Sequence, residues 1–147
     1  MQIKEVSQRP QTLIDQLLPV WESSVKTTHK FLSDEEIAEI KEYVPQALAE
    51  IPHLIIIEND NDQPVGFMGI VDHHLEMLFI SSTERGKGYG KKLLQYGIDN
   101  YNVSDLAVNE QNPLAQGFYE HMGFKVYKRT DHDEQGNPYP LLHMKRD

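Results

Sequence analysis

The chain of 147 residues contains no cysteine. Disulfides, cysteine-ligated zinc and a cysteine nucleophile are therefore excluded. Cationic side chains are also scarce, with 14 Lys and Arg against 23 Asp and Glu, and the formal net charge is −9. A chain of this charge lacks the basic face that general nucleic-acid-binding proteins present, so no nucleic-acid partner is expected.

Long apolar runs are absent as well. The longest aliphatic segments, such as Leu54 to Ile57, are far too short to span a bilayer. The N-terminal stretch MQIKEVSQRP lacks the apolar core of a secretory signal, so we expect a cytoplasmic protein with no membrane partner. Neither a repeat nor a flexible linker divides the chain, which predicts one domain over residues 1–147, as a monomer or a homodimer.

The spacing of apolar residues predicts a mixed α/β order of about six or seven strands and four helices. The predicted strands are IKEV, HLIIIEND, VGFMGIVDHH, LEMLFIS, VSDLAVNE, FKVYKRT and YPLLHMK. The first predicted helix covers residues 12–25, where Pro19 favours a kink or a break. The second covers residues 33–48 and starts with Ser33 and Glu36, which fit a capping box.

The last two predicted helices follow a glycine-rich stretch and a buried strand. Leu93 to Tyr101 shows helical spacing directly after the glycines. In NPLAQGFYEHMG, Asn112 can cap the helix, Pro113 fits its first turn, and Gly123 can end it.

The segment RGKGYGKK, residues 85–92, concentrates glycines and cations between an apolar strand and a helix. Glycines allow a ligand to approach the backbone, and a helix start offers unpaired N–H groups, so this segment predicts a phosphate or pyrophosphate site. The P-loop pattern fails because Lys92 stands where Ser or Thr is required. What remains is R-x-x-G-x-G at Arg85, Gly88 and Gly90, for which a plain turn with solvated lysines is the alternative.

Two segments, FISSTERGKGYGKKLL and NEQNPLAQGFYEHMGF, resemble the two signature segments of the GNAT superfamily of N-acetyltransferases. The first resembles the acetyl-CoA pyrophosphate loop. The second resembles N-x-x-A-x-x-[FL]-Y-x-x-x-G-F, with Asn112, Ala115, Phe118, Tyr119, Gly123 and Phe124 in place. The stretches THKFL and GNPYPLLHM further resemble one small bacterial subgroup. One departure is SST at residues 81–83, where many relatives carry an acidic residue and a proline, but it leaves the glycines intact.

The resemblance implies the GNAT acyl-CoA N-acyltransferase fold, with a V-shaped split between the fourth and fifth strands of a mixed sheet. It implies acetyl-CoA as cosubstrate, with backbone groups of Phe79 and Ile80 pairing with the pantetheine arm and the Ile80 N–H polarising the thioester carbonyl. The implied pyrophosphate contacts are Arg85, Gly86, Lys87, Gly88, Tyr89, Gly90 and Lys91. Asn112 would hydrogen-bond the pantetheine arm, cap its helix, or do both.

The implied chemistry is direct acetyl transfer from acetyl-CoA to a primary amine. Tyr119, in the second signature, is expected to protonate the departing thiolate, although its helical spacing is also that of a core aromatic residue. Glu76 is the first candidate for the base, directly or through water, because strand alternation would place it on one face with Leu78 and Ile80. An exposed cross-strand partner is an equally good interpretation of Glu76.

Two histidines are further candidates for the acceptor site. His74 is one of them. His73 and His74 are also the alternatives to Glu76 as the base, and since adjacent strand residues face opposite ways, at most one of the two should enter the site. His29, after the first helix, could line the acceptor pocket, although isolated histidines are more often structural. None of the seven histidines shows H-E-x-x-H spacing, so no metal is expected.

The sequence therefore predicts an acetyl-CoA-dependent N-acetyltransferase that acts on a small amine or an exposed protein amine. Residues 33–62 hold nine acids and one base, which weakly favours a cationic acceptor, although a solvated acidic face is the simpler interpretation. The alternative function is a binding module that senses acetyl-CoA or CoA without turnover.

Overall fold

The computed structural model describes every residue from Met1 to Asp147. Its strands are β1 (Gln2–Glu5), β2 (His53–Glu58), β3 (Pro64–Val71), β4 (His74–Ile80), β5 (Asp105–Asn109), β6 (Lys125–Thr130) and β7 (Leu141–Lys145). They form one sheet in the order β1-β2-β3-β4-β5-β7-β6. All neighbouring strands are antiparallel except β4 and β5, which run parallel. The predicted mixed α/β sheet is confirmed.

The helices are α1 (Gln11–Thr28), α2 (Asp34–Lys41), α3 (Val44–Glu50), α4 (Tyr89–Tyr101) and α5 (Pro113–His121), with a 3₁₀ turn at Ser82–Glu84. None of them combines the length and the hydropathy that crossing a bilayer requires.

The helix α1 continues past Pro19, where a break was one expectation. Its buried face, which includes Leu17 and Trp21, packs on the sheet on both sides of the proline and holds the helix together.

The segment that we predicted as one helix over residues 33–48 is divided into α2 and α3. Pro45 has no N–H to donate to the carbonyl of Lys41, so a continuous helix would lose a hydrogen bond at this point. The chain instead turns at Tyr43, whose N–H donates to the carbonyl of Ile40 at 2.9 Å. The predicted capping box is confirmed, because Ser33 and Glu36 exchange both hydrogen bonds at the start of α2.

Each face of the sheet is covered by a separate hydrophobic cluster. On one face α1, α2 and α3 bury residues such as Leu17 and Leu48 against Phe67. On the other face α4 buries Leu93 and Leu94 against strand residues such as Ile55 and Met68. Because both faces are covered, the central strands β2 and β3 are buried nearly throughout and read as apolar runs.

The strands β4 and β5 separate soon after they meet. Only two residue pairs join them, His74 with Asp105 and Leu75 with Leu106. Beyond these pairs β5 continues along β7, with which it pairs over its whole length, while β4 continues along β3. The sheet is therefore split between its fourth and fifth strands, as the resemblance implied.

A β-bulge lies in β4 next to this split. Met77 is paired with Gly69 and Leu75 with Ile70, which leaves Glu76 as the extra residue. The bulge shifts the alternation, so Leu75 packs in the same cluster as Leu78 and Ile80. The expected grouping of Glu76 with Leu78 and Ile80 on one face is therefore wrong, because the prediction assumed a strand without a bulge.

Candidate active site

A cavity of about 380 Å³ opens where β4, the glycine loop and α5 meet. This volume lies within the usual range for small-molecule pockets, roughly 300–1,000 Å³. It brings together predicted residues from four separate segments, namely His29, Phe79, Ile80, Arg85, Gly86, Gly88, Tyr89, Gly90, Lys91, Asn112 and Tyr119. Sequence reasoning did not identify Ser24, Thr28, Leu78, Glu84 and Leu114 as lining residues. The spacing of Ser24 and Thr28 was a usable signal in the sequence, because residues four apart lie on the same face of a helix and would line a cavity together.

The glycine loop presents its backbone to this cavity. Gly86 and Gly88 have φ values of +81° and +83°, and Gly88 is the N-cap of α4. From Gly86 to Lys91 the backbone N–H groups donate no hydrogen bond within the chain. Apart from the adjacent residues, no atom lies within 4 Å of the position that a Cβ would take at Gly86 or Gly88. The loop and the start of α4 therefore offer an exposed row of N–H groups that suits an anion.

The basic residues of the loop differ in their surroundings. Arg85 and Lys91 line the cavity and are exposed to solvent. Lys87, which was predicted to contact the cofactor, does not line the cavity. Its ammonium group pairs with the carboxylate of Glu84 at 2.7 Å. This pair raises the pKa of Lys87, first through its hydrogen bond.

The open edge of β4 supplies a second row of polar backbone groups. The N–H of Ser81 donates to the carbonyl of Val65 on β3 at 2.8 Å. Since backbone groups point to alternate sides along a strand, the N–H and C=O of Phe79 also face β3, opposite Phe67. Those of Leu78 and Ile80 face the open side. The register thus favours Leu78 and Ile80 for pairing with a ligand, whereas Phe79 and Ile80 were expected.

Tyr119 lies on α5 and lines the cavity. The helix is anchored at Asn112, a buried residue whose side-chain oxygen accepts a hydrogen bond from the N–H of Ala115 at 3.3 Å. The Tyr119 ring packs edge-on against Phe124, with 6.2 Å between the ring centres. Burial alone raises the pKa of Tyr119 above its usual value, so the hydroxyl keeps its proton at neutral pH. Tyr119 can therefore act as a proton donor.

A second cavity of about 210 Å³ lies in the split between β4 and β5. Its lining includes Glu76 and Asn109, and it shares six residues with the larger cavity, among them His29 and Tyr119. His29 and Tyr119 therefore stand where the two cavities meet. The two predicted catalytic residues, Glu76 and Tyr119, line one and the same space.

Glu76 is held by a neighbouring histidine. The Nε2 atom of His74 lies 3.3 Å from a carboxylate oxygen of Glu76, and its Nδ1 bonds to the carboxylate of Asp105. The hydrogen bond to Glu76, followed by the bond to Asp105, raises the pKa of His74 to about 9 despite partial burial. The same hydrogen bond lowers the pKa of Glu76. His74, a predicted acceptor-site residue, lines neither cavity. It acts on the site only through its contact with the carboxylate of Glu76.

His29 follows the last residue of α1 and differs from His74 in charge. His29 is the C-cap of α1, and its backbone N–H donates to the carbonyl of Val25 at 2.8 Å. The ring is half-buried, and burial lowers its pKa. His29 is therefore a neutral imidazole at neutral pH, whereas His74 is a cation.

A family model described as an acetyltransferase (GNAT) domain matches residues 22–146. The peptidyl-lysine N-acetyltransferase YjaB of Salmonella typhimurium is 43% identical over 130 residues, which cover 88% of this chain and 89% of the relative. The solution structure of apo-form YjaB from Escherichia coli superimposes with a TM-score of 0.87, at 39% identity, over 99% of this chain and 97% of that one.

A more distant structure shares the fold. PaiA N-acetyltransferase from Thermoplasma acidophilum, solved in complex with coenzyme A, has a TM-score of 0.72 at 21% identity and covers 99% of both chains. Together these matches confirm the resemblance to GNAT proteins, and the small bacterial subgroup predicted from THKFL and GNPYPLLHM is that of YjaB.

The charged cluster at Glu76 predicts a pH-dependent contribution to stability. His74 has a pKa of about 9 in the folded chain against 6.5 for an ordinary histidine. A raised pKa means that its contribution is complete below 6.5 and is lost as the pH rises through about 9. We expect the urea midpoint of the wild type to exceed that of His74→Gln below 6.5, and the difference to shrink above that pH. A difference that is constant with pH would contradict the charged pair.

Asn112 provides a test that separates its two expected roles. Asp also caps helices well, whereas Ala does not and should cost about 1 kcal/mol in the free energy of unfolding. If Asn112 only caps α5, Asn112→Asp should retain both stability and the affinity for coenzyme A. If its amide also holds the ligand, Asn112→Asp should stay stable but bind coenzyme A more weakly in calorimetric titrations.

Proposed function

The chain belongs to the acetyltransferase (GNAT) family, and on this basis we propose that it transfers the acetyl group of acetyl-CoA to lysine side chains of peptides or proteins. Acetyl transfer to an amine is the activity of the family and distinguishes the protein from a sensor without turnover. The lysine acceptor is supported by the YjaB relative, which is a peptidyl-lysine N-acetyltransferase. The observation that supports the proposal most is the convergence of the glycine loop, the open edge of β4 and Tyr119 on one cavity.

Acetyl-CoA would bind along two rows of backbone groups. Its pyrophosphate suits the free N–H groups from Gly86 to Lys91, which combine the unpaired donors with the positive end of the α4 dipole. Its pantetheine arm suits the edge of β4, where Leu78 and Ile80 have their N–H and C=O groups turned to the open side. The resulting contacts resemble those of an added strand.

The acetyl group would then lie near Ile80 and Tyr119. Attack of the amine on the thioester carbon would move negative charge to the carbonyl oxygen, and the N–H of Ile80, which faces the open side of β4, would stabilise it. As the C–S bond breaks, the sulfur leaves as a thiolate, and Tyr119 donates its proton to it. Tyr119 is suited to this step because burial keeps its hydroxyl protonated.

Glu76 would serve the acceptor in the smaller cavity. Its lowered pKa keeps the carboxylate ionised, so it can attract the ammonium group of a lysine. The imidazolium of His74 lies 3.3 Å away and makes the same carboxylate a weaker proton acceptor. We therefore propose that Glu76 assists deprotonation by holding the ammonium group in place. Acetyl-CoA is available in the cytoplasm, where we propose that the enzyme acts.

The function is tested by following thiol release with acetyl-CoA and a peptide that carries one lysine. Tyr119→Phe keeps the ring but removes the proton, so we expect kcat to fall roughly 10²–10⁴-fold while KM for acetyl-CoA changes little. The free energy of unfolding should fall by no more than about 1.5 kcal/mol, which corresponds to one hydrogen bond.

A peptide in which arginine replaces the lysine is the matched control and should give no thiol release above background. If the wild type releases thiol equally with both peptides, lysine is not the acceptor. If folded Tyr119→Phe keeps the wild-type kcat while chemistry is rate-limiting, the proton donor is another group.

The glycine loop generates a separate prediction for the cofactor. A valine at Gly88 would obstruct the approach of the pyrophosphate and strain a backbone with φ of +83°. Gly136 has φ of +81° and does not line either cavity, so Gly136→Val controls for strain alone. We expect Gly88→Val to raise KM for acetyl-CoA strongly and Gly136→Val to leave it near the wild-type value. Equal KM values for the two folded variants would contradict the assignment of the loop.

A further inference from the structure

We propose that His29 is the general base of this enzyme and that its Nε2 atom takes the proton from the acceptor ammonium group. The proposal rests on the function proposed above, since it concerns the same acceptor and the same cavity. It assigns proton removal to a residue of α1 and leaves Glu76 the task of holding the acceptor's charge.

A chain of hydrogen bonds determines which nitrogen of His29 carries the proton. The hydroxyl of Thr28 donates to the carbonyl of Ser24, with 2.8 Å between the oxygens. The same hydroxyl oxygen lies 2.7 Å from Nδ1 of His29. A hydroxyl has one hydrogen, which the Ser24 carbonyl already receives, so the Thr28 oxygen must accept a hydrogen bond from Nδ1–H. The proton of the neutral ring is therefore on Nδ1, and Nε2 has a free lone pair.

The position of the ring suits a base that serves both cavities. His29 and Tyr119 line the larger cavity, where acetyl-CoA would bind, and also the smaller one, which contains Glu76. The ring is fixed by its place as the C-cap of α1 and by contact with Phe31, whose ring centre is 5.5 Å away. An imidazole that lines both cavities stands where it can reach the amine of an acceptor as well as the bound thioester, which suits a catalytic base.

The surroundings of His29 and Glu76 favour His29 as the proton acceptor. The carboxylate of Glu76 is bonded to a cation, and its side chain is 40% exposed, so it is stabilised in the charged form. His29 has no such partner, and burial lowers its pKa. The titratable groups that share its cavities are Glu76, Glu84, Arg85, Tyr89, Lys91 and Tyr119. Tyr119 keeps its proton and Glu76 is stabilised as a carboxylate, so the neutral imidazole nitrogen of His29 is the better base of the three.

His29 and Tyr119 together account for every proton that moves in the reaction. Nε2 of His29 takes one proton from the ammonium nitrogen, whose lone pair then forms the C–N bond. The nitrogen of the tetrahedral intermediate loses a second proton as the C–S bond breaks. Tyr119 gives its proton to sulfur and regains one from that nitrogen, and His29 releases its proton to solvent. The products are the amide, CoA thiol and one proton.

Thr28 is a positioning residue in this scheme, because it acts through His29. Thr28→Val keeps the shape of the side chain but leaves Nδ1–H without its acceptor, so the tautomer is no longer determined. Thr28→Ser keeps the hydroxyl and should preserve the dependence of kcat/KM on pH. If Thr28 only packed against the end of α1, Thr28→Val and Thr28→Ser would show the same dependence of kcat/KM on pH.

The test compares His29→Gln and Glu76→Gln as full chains, with acetyl-CoA and the single-lysine peptide over a range of pH. Binding of coenzyme A, measured by calorimetry, first shows that each variant is folded. We expect His29→Gln to lower kcat near neutral pH roughly 10²–10⁴-fold and to recover as the pH rises and more free amine is present. Glu76→Gln should mainly raise KM for the peptide. Added imidazole should restore part of the activity of His29→Ala, which leaves space where the ring was.

Two results would overturn the proposal. One is a folded His29→Gln enzyme with the kcat and pH profile of the wild type. The other is loss of the neutral-pH activity in Glu76→Gln together with its retention in His29→Gln, which would make Glu76 the base. Failure of the proposed function has a different signature, because the wild type itself would then release no thiol with the lysine peptide, and the role of His29 toward lysine would fall with it.

Discussion

The separation of β4 from β5 is the constraint on which the rest of the site depends. Two residue pairs hold the strands together, and beyond them the backbone groups of Leu78 and Ile80 have no partner strand. Polar backbone groups of this kind must be satisfied by water or by a ligand. The same separation creates the smaller cavity between the strands, and the glycine loop directly follows the open edge of β4. The cofactor site and the acceptor site that we propose thus both follow from one interruption in the sheet.

The site contains three titratable side chains whose states differ because their environments differ. His74 lies between two carboxylates and is held as a cation. His29 is partly buried without a charged partner and is held neutral, and Tyr119 is partly buried and keeps its proton. Groups whose pKa values are moved in opposite directions can divide acid and base roles within one reaction. In the mechanism that we propose, the division would give a proton donor beside the thioester and a proton acceptor beside the amine.

Much of this site could be predicted from the sequence, because its main parts are local. The glycine loop and the cap of α5 are each set by a few consecutive residues, from Gly86 to Lys91 and from Asn112 to Ala115. The bulge at Glu76 could not be predicted, since it arises from the pairing of β4 with β3. The role that we propose for His29 could not be predicted either, because it depends on a cavity formed by α1, β4 and α5. Sequence patterns identified the residues of separate segments, whereas pairing and burial determine what each side chain can do.

Amide hydrogen exchange along β4 tests the central constraint most directly. The N–H of Phe79 faces β3, and those of Leu78 and Ile80 face the open split. In the free protein the Leu78 and Ile80 amides should therefore exchange faster than the Phe79 amide. Saturation with coenzyme A should slow exchange at Leu78 and Ile80 and from Gly86 to Lys91, with little change at Phe79. Equal protection of the three β4 amides before binding, or slowing at Phe79 alone afterwards, would contradict a cofactor that binds along the open edge of β4.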